Sequence, residues 1–230
     1  MEIVGHRGAC GLAPENTLRS FARAIELGCH RAELDVQVSA DGVAVVMHDS
    51  TVDRTTDGCG AVGAFTLDEL KRLDAGAGEK VPTLEEVMAL CRHKIDLQIE
   101  LKAKHSPALV AQLIEQAWDP TKTVVTSFDL ELLDEFAALM PSIPLGLLNR
   151  NADLDMIGVA STHHHRWICP RADIATADLV SRAHGSALKV YVYHVNQSEQ
   201  AESLVRWDVD AIGTDHPEMV ARLLATKPGQ

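Results

Sequence analysis

Residues 97–148, LQIELKAKHSPALVAQLIEQAWDPTKTVVTSFDLELLDEFAALMPSIPLGLL, alternate between two hydrophobic patterns. The short runs at 97–102, 123–127 and 143–148 are typical of buried strands, whereas 106–118 and 129–140 carry apolar residues at helical spacing. Ser106 is a candidate cap for the first helix, with Pro107 at its first position. The stretch therefore predicts strand, helix, strand, helix, strand, which is the repeating unit of a parallel α/β fold.

The same alternation extends in both directions. We count eight units of a strand followed by a helix along the chain, from the strand at 2–6 to the final helix at 216–225. Eight such units with short loops predict a (β/α)8 TIM barrel formed by one domain spanning residues 1–230. A doubly wound open sheet is the alternative that the alternation leaves open.

One segment interrupts the alternation. The second unit begins with two strand runs within 31–49, joined at the turn signal Asp41-Gly42. Residues at about 50–82 then form a long stretch rich in Gly, Asp and Thr, with one short helical run at 66–74. Because a long irregular loop within a compact domain usually serves a function, we interpret this segment as a small insertion after the second strand, over one end of the barrel.

Composition limits the classes of function. The net charge of −12 argues against nonspecific binding to nucleic acid or to an anionic membrane. The five cysteines are scattered without a CxxC pair, which indicates free thiols in a reducing compartment. With no signal peptide pattern and no apolar run long enough to span a bilayer, the sequence predicts a cytoplasmic protein. A homo-oligomer is compatible with these features.

Acidic residues occur in pairs or near cations on two strands. Glu33 and Asp35 share one strand face, as do Glu100 and Lys102. Unpaired carboxylates inside a barrel would be costly, and a divalent cation would relieve that cost. Three carboxylates from two strands therefore suggest a site for Mg²⁺ or Ca²⁺, although pairing with Arg or Lys at a strand end would also satisfy them.

Histidines and cations stand where catalytic groups are expected in a barrel. His6 and His48 each follow a strand, and barrel enzymes place catalytic groups at the carboxyl ends of strands. Two imidazoles at one mouth can divide acid and base roles. Arg7 and Lys102 are suited to hold a phosphate oxyanion. Together with a metal, this combination points to hydrolysis at phosphorus.

The sequence resembles the glycerophosphodiester phosphodiesterase family over nearly its whole length, in motifs that follow the family's order and spacing. The motifs are GHRG at 5–8, PENT at 14–17, AELDVQ at 32–37, HD at 48–49, TLDELKRLDAG at 66–76, IELK at 99–102 and GTDHP at 213–217. The resemblance implies a TIM barrel with an insertion after the second strand. It also implies hydrolysis of a small-molecule glycerophosphodiester to glycerol 3-phosphate and an alcohol, with Mg²⁺ or Ca²⁺ as the cofactor.

The resemblance also implies roles for individual residues. Glu15 would lie near the metal or the substrate, and Asn16 would shape the loop and cap the following helix. The remaining assignments are metal ligation by Glu33, Asp35 and Glu100, acid–base catalysis by His6 and His48, and phosphate contact by Arg7 and Lys102.

The sequence departs from the family in its seventh strand unit. Members usually have a tryptophan in a WTVN-like run, whereas residues 191–196 read YVYHVN. Because Tyr193 and His194 are adjacent on a strand, only one is expected to face the barrel mouth. The valines flanking Tyr191 suggest a helix-facing side, so we expect Tyr193 to face the mouth and bind substrate, and His194 to lie away from the substrate.

Two alternatives remain open. An exposed apolar stripe in the insertion would favour a lysophospholipase D-type phosphodiesterase, and the segment offers only Val62, Phe65 and Leu67 for it. A phosphoester-binding barrel without turnover would not require both histidines and all three carboxylates, all of which are present.

Overall fold

The computed structural model of the chain describes residues 1–225. In this part of the chain, strands and helices alternate over most of its length. The strands are β1 Glu2–Gly5, β2 Arg31–Val38, β3 Ala44–Val46, β4 Asp96–Leu101, β5 Thr123–Ser127, β6 Leu145–Asn149, β7 Trp167–Pro170, β8 Lys189–Val192 and β9 Ala211–Thr214. The helices are α1 Leu18–Glu26, α2 Leu67–Leu70, α3 Leu84–Cys91, α4 Ser106–Ala117, α5 Leu130–Leu139, α6 Met156–Thr162, α7 Ala177–Gly185, α8 Ser198–Arg206 and α9 Pro217–Ala225.

The parallel strands form a closed barrel. The order around the sheet is β1, β9, β8, β7, β6, β5, β4, β2, and β1 also pairs with β2 in parallel register. This pairing joins the two ends of the sheet, so the TIM-barrel prediction is confirmed and the open-sheet alternative is wrong. All eight barrel strands consequently direct their carboxyl ends to the same mouth.

The hydrophobic core has two layers. A large layer fills the space between the strands and the helices and includes Leu34, Ile99, Val190 and Val192. A smaller cluster lies inside the barrel, and its members are Val4, Val124, Leu148, Trp167, Cys169, Tyr191, Tyr193 and Ala211. Alternate residues of β8 therefore enter different layers, as the period of a strand requires.

The insertion follows a hairpin at the end of β2. Strand β3 pairs with β2 in antiparallel register, and Gly42 in the connecting turn has a φ of 79°. Between β3 and α3 the chain contains a 3-10 turn at Val62–Ala64 and the short helix α2. This segment packs together with β3 in a separate apolar cluster, formed by Val45, Met47, Val52, Val62, Leu70, Ala75 and Val81.

The start of α4 differs from the sequence prediction. The residue that precedes the helix is His105, with a φ of 71°, and Ser106 is itself helical. The Ser106 hydroxyl donates to the carbonyl of Ala103 at 2.7 Å, so it does not cap a helical N–H. The cap prediction for Ser106 is therefore wrong, although Pro107 does lie in the first turn.

Two further observations concern the cysteines and the helices. All five cysteines are free thiols, as predicted. In residues 1–225, no helix has both the length and the hydropathy needed to cross a membrane.

Candidate active site

A cavity of about 250 Å³ opens at the carboxyl ends of the barrel strands. The residues lining it are His6, Arg7, Glu33, His48, Gln98, Glu100, Lys102, Phe128, Leu148, Arg150, Arg171, Tyr191, Tyr193 and His194. A larger cavity of about 670 Å³ is bounded by residues next to the amino ends of β2, β4 and β5, including His30, Asp96 and Lys122. The smaller cavity is the candidate active site, because it contains the predicted catalytic groups at the mouth that barrel enzymes use.

Three carboxylates converge beneath this cavity. Asp35 on β2 lies in register with Glu100 on β4, and Glu33 is two residues earlier on the same face of β2. All three side chains are buried, and one carboxylate oxygen from each lies within 4.8 Å of the others. The structure thus brings together the residues that the sequence marked as metal ligands.

The electrostatics of this cluster favour a bound cation. Burial, followed by the charge of Asp35, raises the pKa of both Glu33 and Glu100. Burial would also raise the pKa of Asp35, but Lys102 and Arg7 outweigh this effect and lower it. Three carboxylates facing two cations leave excess negative charge in a buried place, and their oxygens are hard ligands. The donor set therefore fits Mg²⁺ or Ca²⁺.

The two predicted cations border the carboxylates. Lys102 Nζ lies 2.6 Å from Glu100 Oε1 and 3.1 Å from Asp35 Oδ1. Arg7 Nε lies 3.4 Å from Asp35 Oδ2, and the backbone N–H of Arg7 donates to Glu33 Oε2 at 2.9 Å. Arg7 has a φ of 49°, so the loop after β1 turns sharply at this position and directs the amide toward the cluster.

Glu15 and Asn16 contact this network from the loop before α1. The Arg7 guanidinium donates to Glu15 Oε1 at 2.7 Å. Asn16 Nδ2 donates to Asp35 Oδ2 at 2.9 Å. The helix cap is instead Thr17, whose hydroxyl accepts from the N–H of Ser20. Asn16 as the cap is therefore a wrong prediction, because its side chain is occupied with a carboxylate of the site.

His6 is held by a carboxylate that the sequence analysis did not single out. His6 Nδ1 lies 2.6 Å from Oδ1 of Asp215, a residue that directly follows β9. The Cys10 thiol donates to the same oxygen at 3.0 Å, and Asn196 Nδ2 donates to Asp215 Oδ2 at 2.6 Å. Burial opposes ionisation of Asp215, but the hydrogen bonds from His6 and Cys10 prevail and lower its pKa. The position of Asp215 after a strand, within the GTDHP motif, was the available signal.

His48 has a comparable partner. Its Nδ1 lies 2.5 Å from Asp49 Oδ1, and Arg54 Nε donates to Asp49 Oδ2 at 2.7 Å. Arg54 also donates to both carboxylate oxygens of Glu15, at 2.7 and 2.8 Å. Arg54 belongs to the insertion, so the insertion contacts both the partner of His48 and the partner of Arg7. Sequence reasoning missed this arginine because the link spans distant segments.

Tyr193 and His194 both line the cavity. Tyr193 is buried within the barrel as predicted, but its hydroxyl donates to the carbonyl of Asn149 at 3.2 Å. The His194 ring lies with its centroid 3.7 Å from that of His6. The prediction that only one of these two residues faces the barrel mouth is wrong, because β8 ends at Val192 and strand alternation does not extend to His194.

Phe128 is a further cavity residue that the sequence analysis missed. It follows β5, is 43 % exposed and meets the Tyr193 ring edge-on, with 6.0 Å between centroids. The side chains of Lys102 and Arg150 approach its ring at 5.7 and 5.5 Å. The mouth therefore combines an aromatic surface with fixed positive charge.

A TIM barrel with this chemistry at the carboxyl ends of its strands is an enzyme of the class that acts on phosphate esters. Residues 6–219 match the glycerophosphoryl diester phosphodiesterase family. The chain belongs to this family.

Individual relatives agree with this assignment. A glycerophosphodiester phosphodiesterase of Caldanaerobacter subterraneus is 34 % identical, with 96 % of this chain and 97 % of the relative covered. The solved structure of an Oleispira antarctica phosphodiesterase, in complex with the product sn-glycerol-3-phosphate, is 28 % identical. It matches with a TM-score of 0.94 over 98 % of this chain and 97 % of that one. A glycerophosphodiester phosphodiesterase from Agrobacterium tumefaciens is 31 % identical, with a TM-score of 0.87 and coverages of 96 % and 99 %.

Proposed function

We propose that this protein hydrolyses glycerophosphodiesters to glycerol 3-phosphate and an alcohol. The observation that carries the proposal is the convergence of three buried carboxylates, two cations and two histidines on one cavity at the barrel mouth. The product in the Oleispira relative, sn-glycerol-3-phosphate, agrees with it. Residues 1–230 would act as one domain in the cytoplasm, the compartment in which free thiols persist.

Mg²⁺ or Ca²⁺ would be held by Glu33, Asp35 and Glu100. When bound, the ion supplies Lewis acidity toward a phosphoryl oxygen and neutralises the excess charge of the carboxylates. Asn16 keeps the Asp35 carboxylate oriented through its hydrogen bond, and the Arg7 amide does the same for Glu33. Such partners of metal ligands are as much a part of a site as the ligands themselves.

The substrate phosphate would contact Arg7 and Lys102. Both side chains are largely buried and are fixed by ion pairs, Arg7 with Glu15 and Lys102 with Glu100. Fixed cations of this kind stabilise the charge that develops on the phosphoryl oxygens in the transition state, with little reorganisation.

The two histidines would divide the proton transfers. His6 takes the proton of the attacking group, either water or the glycerol 2-hydroxyl, and His48 donates a proton to the leaving alkoxide. In each ring Nδ1 is engaged by a carboxylate, Asp215 or Asp49, which leaves Nε2 for the substrate. A carboxylate in this position orients the imidazole and stabilises its protonated form.

The aromatic side of the cavity would accommodate the glycerol carbons, against the Tyr193 ring. The insertion residues that would favour the lysophospholipase D-type alternative do not form an exposed stripe. Val62 is 1 % exposed, and Phe65 and Leu67 pack against the apolar cluster of the insertion. The lysophospholipase D-type reaction therefore has no support from the insertion.

A substrate panel tests the proposal. Purified protein would be incubated with glycerophosphocholine, glycerophosphoethanolamine and a lysophospholipid, and the phosphorus-containing products would be followed by ³¹P NMR. We expect glycerol 3-phosphate from the first two substrates. Cleavage of the lysophospholipid alone would contradict the proposal, and binding of all three without turnover would favour the non-catalytic alternative.

A further inference from the structure

His6, Cys10 and Asp215 form a second group of potential metal ligands, separate from the three carboxylates. Their ligand atoms all lie within 4.8 Å of one another. His6 Nδ1 is 2.6 Å from Asp215 Oδ1, the Cys10 Sγ atom is 3.0 Å from the same oxygen, and Sγ is 3.6 Å from Nδ1. One nitrogen, one sulfur and one oxygen therefore occupy the corners of a small triangle.

This triangle is close to one face of a zinc coordination tetrahedron. With zinc–nitrogen and zinc–oxygen distances of about 2.1 Å and a zinc–sulfur distance of about 2.3 Å, neighbouring ligand atoms lie roughly 3.3–3.6 Å apart. The sulfur–nitrogen edge of 3.6 Å already has this length. The two edges at Asp215 Oδ1 need to lengthen by about 0.6–0.8 Å, which a rotation of the carboxylate can supply.

The surroundings of Asp215 are also those of a ligand. Its second oxygen, Oδ2, accepts from Asn196 Nδ2 at 2.6 Å, and this bond directs Oδ1 toward His6 and Cys10. Ligating carboxylates in metal sites are commonly held in this way. The cluster also borders the cavity mouth, since His6 lines the cavity and packs against the His194 ring. Water from the cavity can therefore fill the fourth coordination position of a metal bound here.

We infer that His6 Nδ1, Cys10 Sγ and Asp215 Oδ1 bind a thiophilic divalent cation such as Zn²⁺, at a site distinct from that of Mg²⁺ or Ca²⁺. The mixed nitrogen, sulfur and oxygen set suits zinc, whereas the all-oxygen set of Glu33, Asp35 and Glu100 suits the hard cations. Binding releases the thiol proton to solvent, and a proton on Nδ1 of the neutral ring passes to Nε2, so that the ligands are a thiolate and a neutral imidazole.

Without a metal, the surroundings of Cys10 favour the thiol over the thiolate. Burial, and then the hydrogen bond to Asp215, raise the pKa of the Cys10 thiol. A divalent cation between the carboxylate and the sulfur reverses this balance, since a coordinating thiol loses its proton outright. Coordination would therefore favour the thiolate, whereas the surroundings of Cys10 without a metal favour the thiol.

Occupation of this site would inhibit turnover. The cation replaces the His6–Asp215 hydrogen bond and fixes Nδ1 of the residue to which we assign proton transfer. This consequence rests on the proposed function, whereas the binding itself does not. Zn²⁺ should consequently inhibit the enzyme even when excess Mg²⁺ occupies the carboxylate site.

Cobalt spectroscopy tests binding without any assay of activity. Co²⁺ would be titrated into the full chain in excess Mg²⁺, and the near-ultraviolet thiolate-to-cobalt charge-transfer band would be recorded. Cys10→Ser keeps a hydroxyl that can donate to Asp215 but removes the sulfur, and Cys10→Ala serves if the first variant does not fold. Cys59→Ser is the matched control, because Cys59 also donates to a carboxylate, Asp53, but is exposed and has no histidine in its group.

We expect one equivalent of Co²⁺ to produce the band in the unmodified protein and in Cys59→Ser, and no band in either Cys10 variant. In the same proteins, the Zn²⁺ concentration that halves release of glycerol 3-phosphate should rise by about tenfold or more on loss of Cys10. Absence of the band from the unmodified protein, or its persistence without Cys10, would overturn the site. If the protein has no phosphodiesterase activity, the band still decides the question, so the two proposals fail separately.

Discussion

Each of the two cavity histidines is held through Nδ1 by a carboxylate, but the carboxylates come from different places in the sequence. Asp49 is the neighbour of His48 along the chain, whereas Asp215 reaches His6 from the opposite end of the chain because β1 pairs with β9. Both arrangements leave Nε2 for the substrate. The division of acid and base roles between the two histidines therefore depends on which part of the substrate each ring faces. Substitution of a histidine can test its role.

The role of His48 can be separated from positioning by the choice of leaving group. We expect His48→Ala to slow hydrolysis of glycerophosphocholine by about 10²–10⁴-fold, the usual contribution of a general acid. Hydrolysis of a p-nitrophenyl phosphodiester should lose much less, because p-nitrophenolate leaves without a proton. The measurement is kcat/KM for both substrates.

His163→Ala is the control for this experiment. His163 also pairs through Nδ1 with an aspartate, Asp134 at 2.8 Å, but it is not among the residues that line the cavity. It should leave both rates unchanged. Equal losses on the two substrates in His48→Ala would show that His48 positions groups and does not donate the proton.

The contact of Tyr193 with the substrate can also be tested by substitution. Because its hydroxyl is occupied by the Asn149 carbonyl, the ring and not the phenol is the group available to the substrate. Tyr193→Ala should raise KM for glycerophosphodiesters, with a loss of about 1–3 kcal/mol of binding by analogy with buried aromatic contacts.

Tyr193→Phe is the matched variant for this test. It keeps the ring and should leave KM near that of the unmodified protein, while stability falls by about 1 kcal/mol through the lost hydrogen bond. Steady-state kinetics and thermal unfolding measure the two effects. A large increase of KM in Tyr193→Phe would mean that the hydroxyl contacts the substrate after all.

At the scale of elements, the sequence predicts what depends on local periodicity. Local sequence predicts the strand and helix runs and the turn at Gly42. It also predicts that Val190 and Tyr191 enter opposite layers of the core. Beyond the end of a strand or helix, periodicity no longer predicts which way a side chain points. His194 lies beyond the last residue of β8, and its contact with His6 depends on the loop that follows.

The same distinction separates the site residues that could be predicted from the sequence from those that could not. Glu33, Asp35 and Glu100 could be grouped from sequence because strand spacing places them on shared faces of β2 and β4. Asp215, Arg54 and Phe128 could not, since their contacts are made by closure of the barrel and by loops. The cap at α1 shows a further limit: Asn16 was predicted as the cap, but its side chain donates to Asp35 in the folded barrel, and the adjacent Thr17 caps the helix.

The insertion can be tested through its link to the site. Arg54 joins Asp49, the partner of His48, to Glu15, the partner of Arg7. Arg54→Ala should lower kcat/KM by about tenfold or more, the usual effect of removing an outer partner of catalytic groups. Arg54→Lys should recover only part of the loss, because an ammonium cannot form the same bidentate pair.

A control from the same segment accompanies this prediction. Arg72 is also an exposed arginine of the insertion, and it is not among the residues that line the cavity. Arg72→Ala should leave kcat/KM unchanged. Activity of Arg54→Ala equal to that of Arg72→Ala would remove the insertion from the proposed mechanism.

At the scale of the whole molecule, the metal should control both turnover and stability. Exhaustive treatment with a chelator should abolish hydrolysis of glycerophosphocholine, and Mg²⁺ or Ca²⁺ should restore it. Product release by the chelated protein at the original rate would contradict the assignment of Glu33, Asp35 and Glu100 as metal ligands.

Stability gives a readout of the same site that is independent of turnover. A ligand that binds only the folded state stabilises it, by about 2.7 kcal/mol at one hundred times its dissociation constant, so Mg²⁺ should raise the Tm of the unmodified protein. We expect one unfolding transition, because the hairpin residue Val45 lies within the apolar cluster of the insertion. Without metal, the three buried carboxylates repel one another, so removal of one charge should relieve the folded state.

Glu33→Gln makes this change with little alteration of shape, since a glutamine oxygen can still accept from the Arg7 amide. Its metal-free Tm should equal or exceed that of the unmodified protein, and its response to Mg²⁺ should be largely lost. Glu115→Gln, the same change at an exposed position of α4, should preserve the full response. An equal Mg²⁺-dependent rise of Tm in Glu33→Gln would show that the ion binds elsewhere, because the charge that it is proposed to neutralise would be gone.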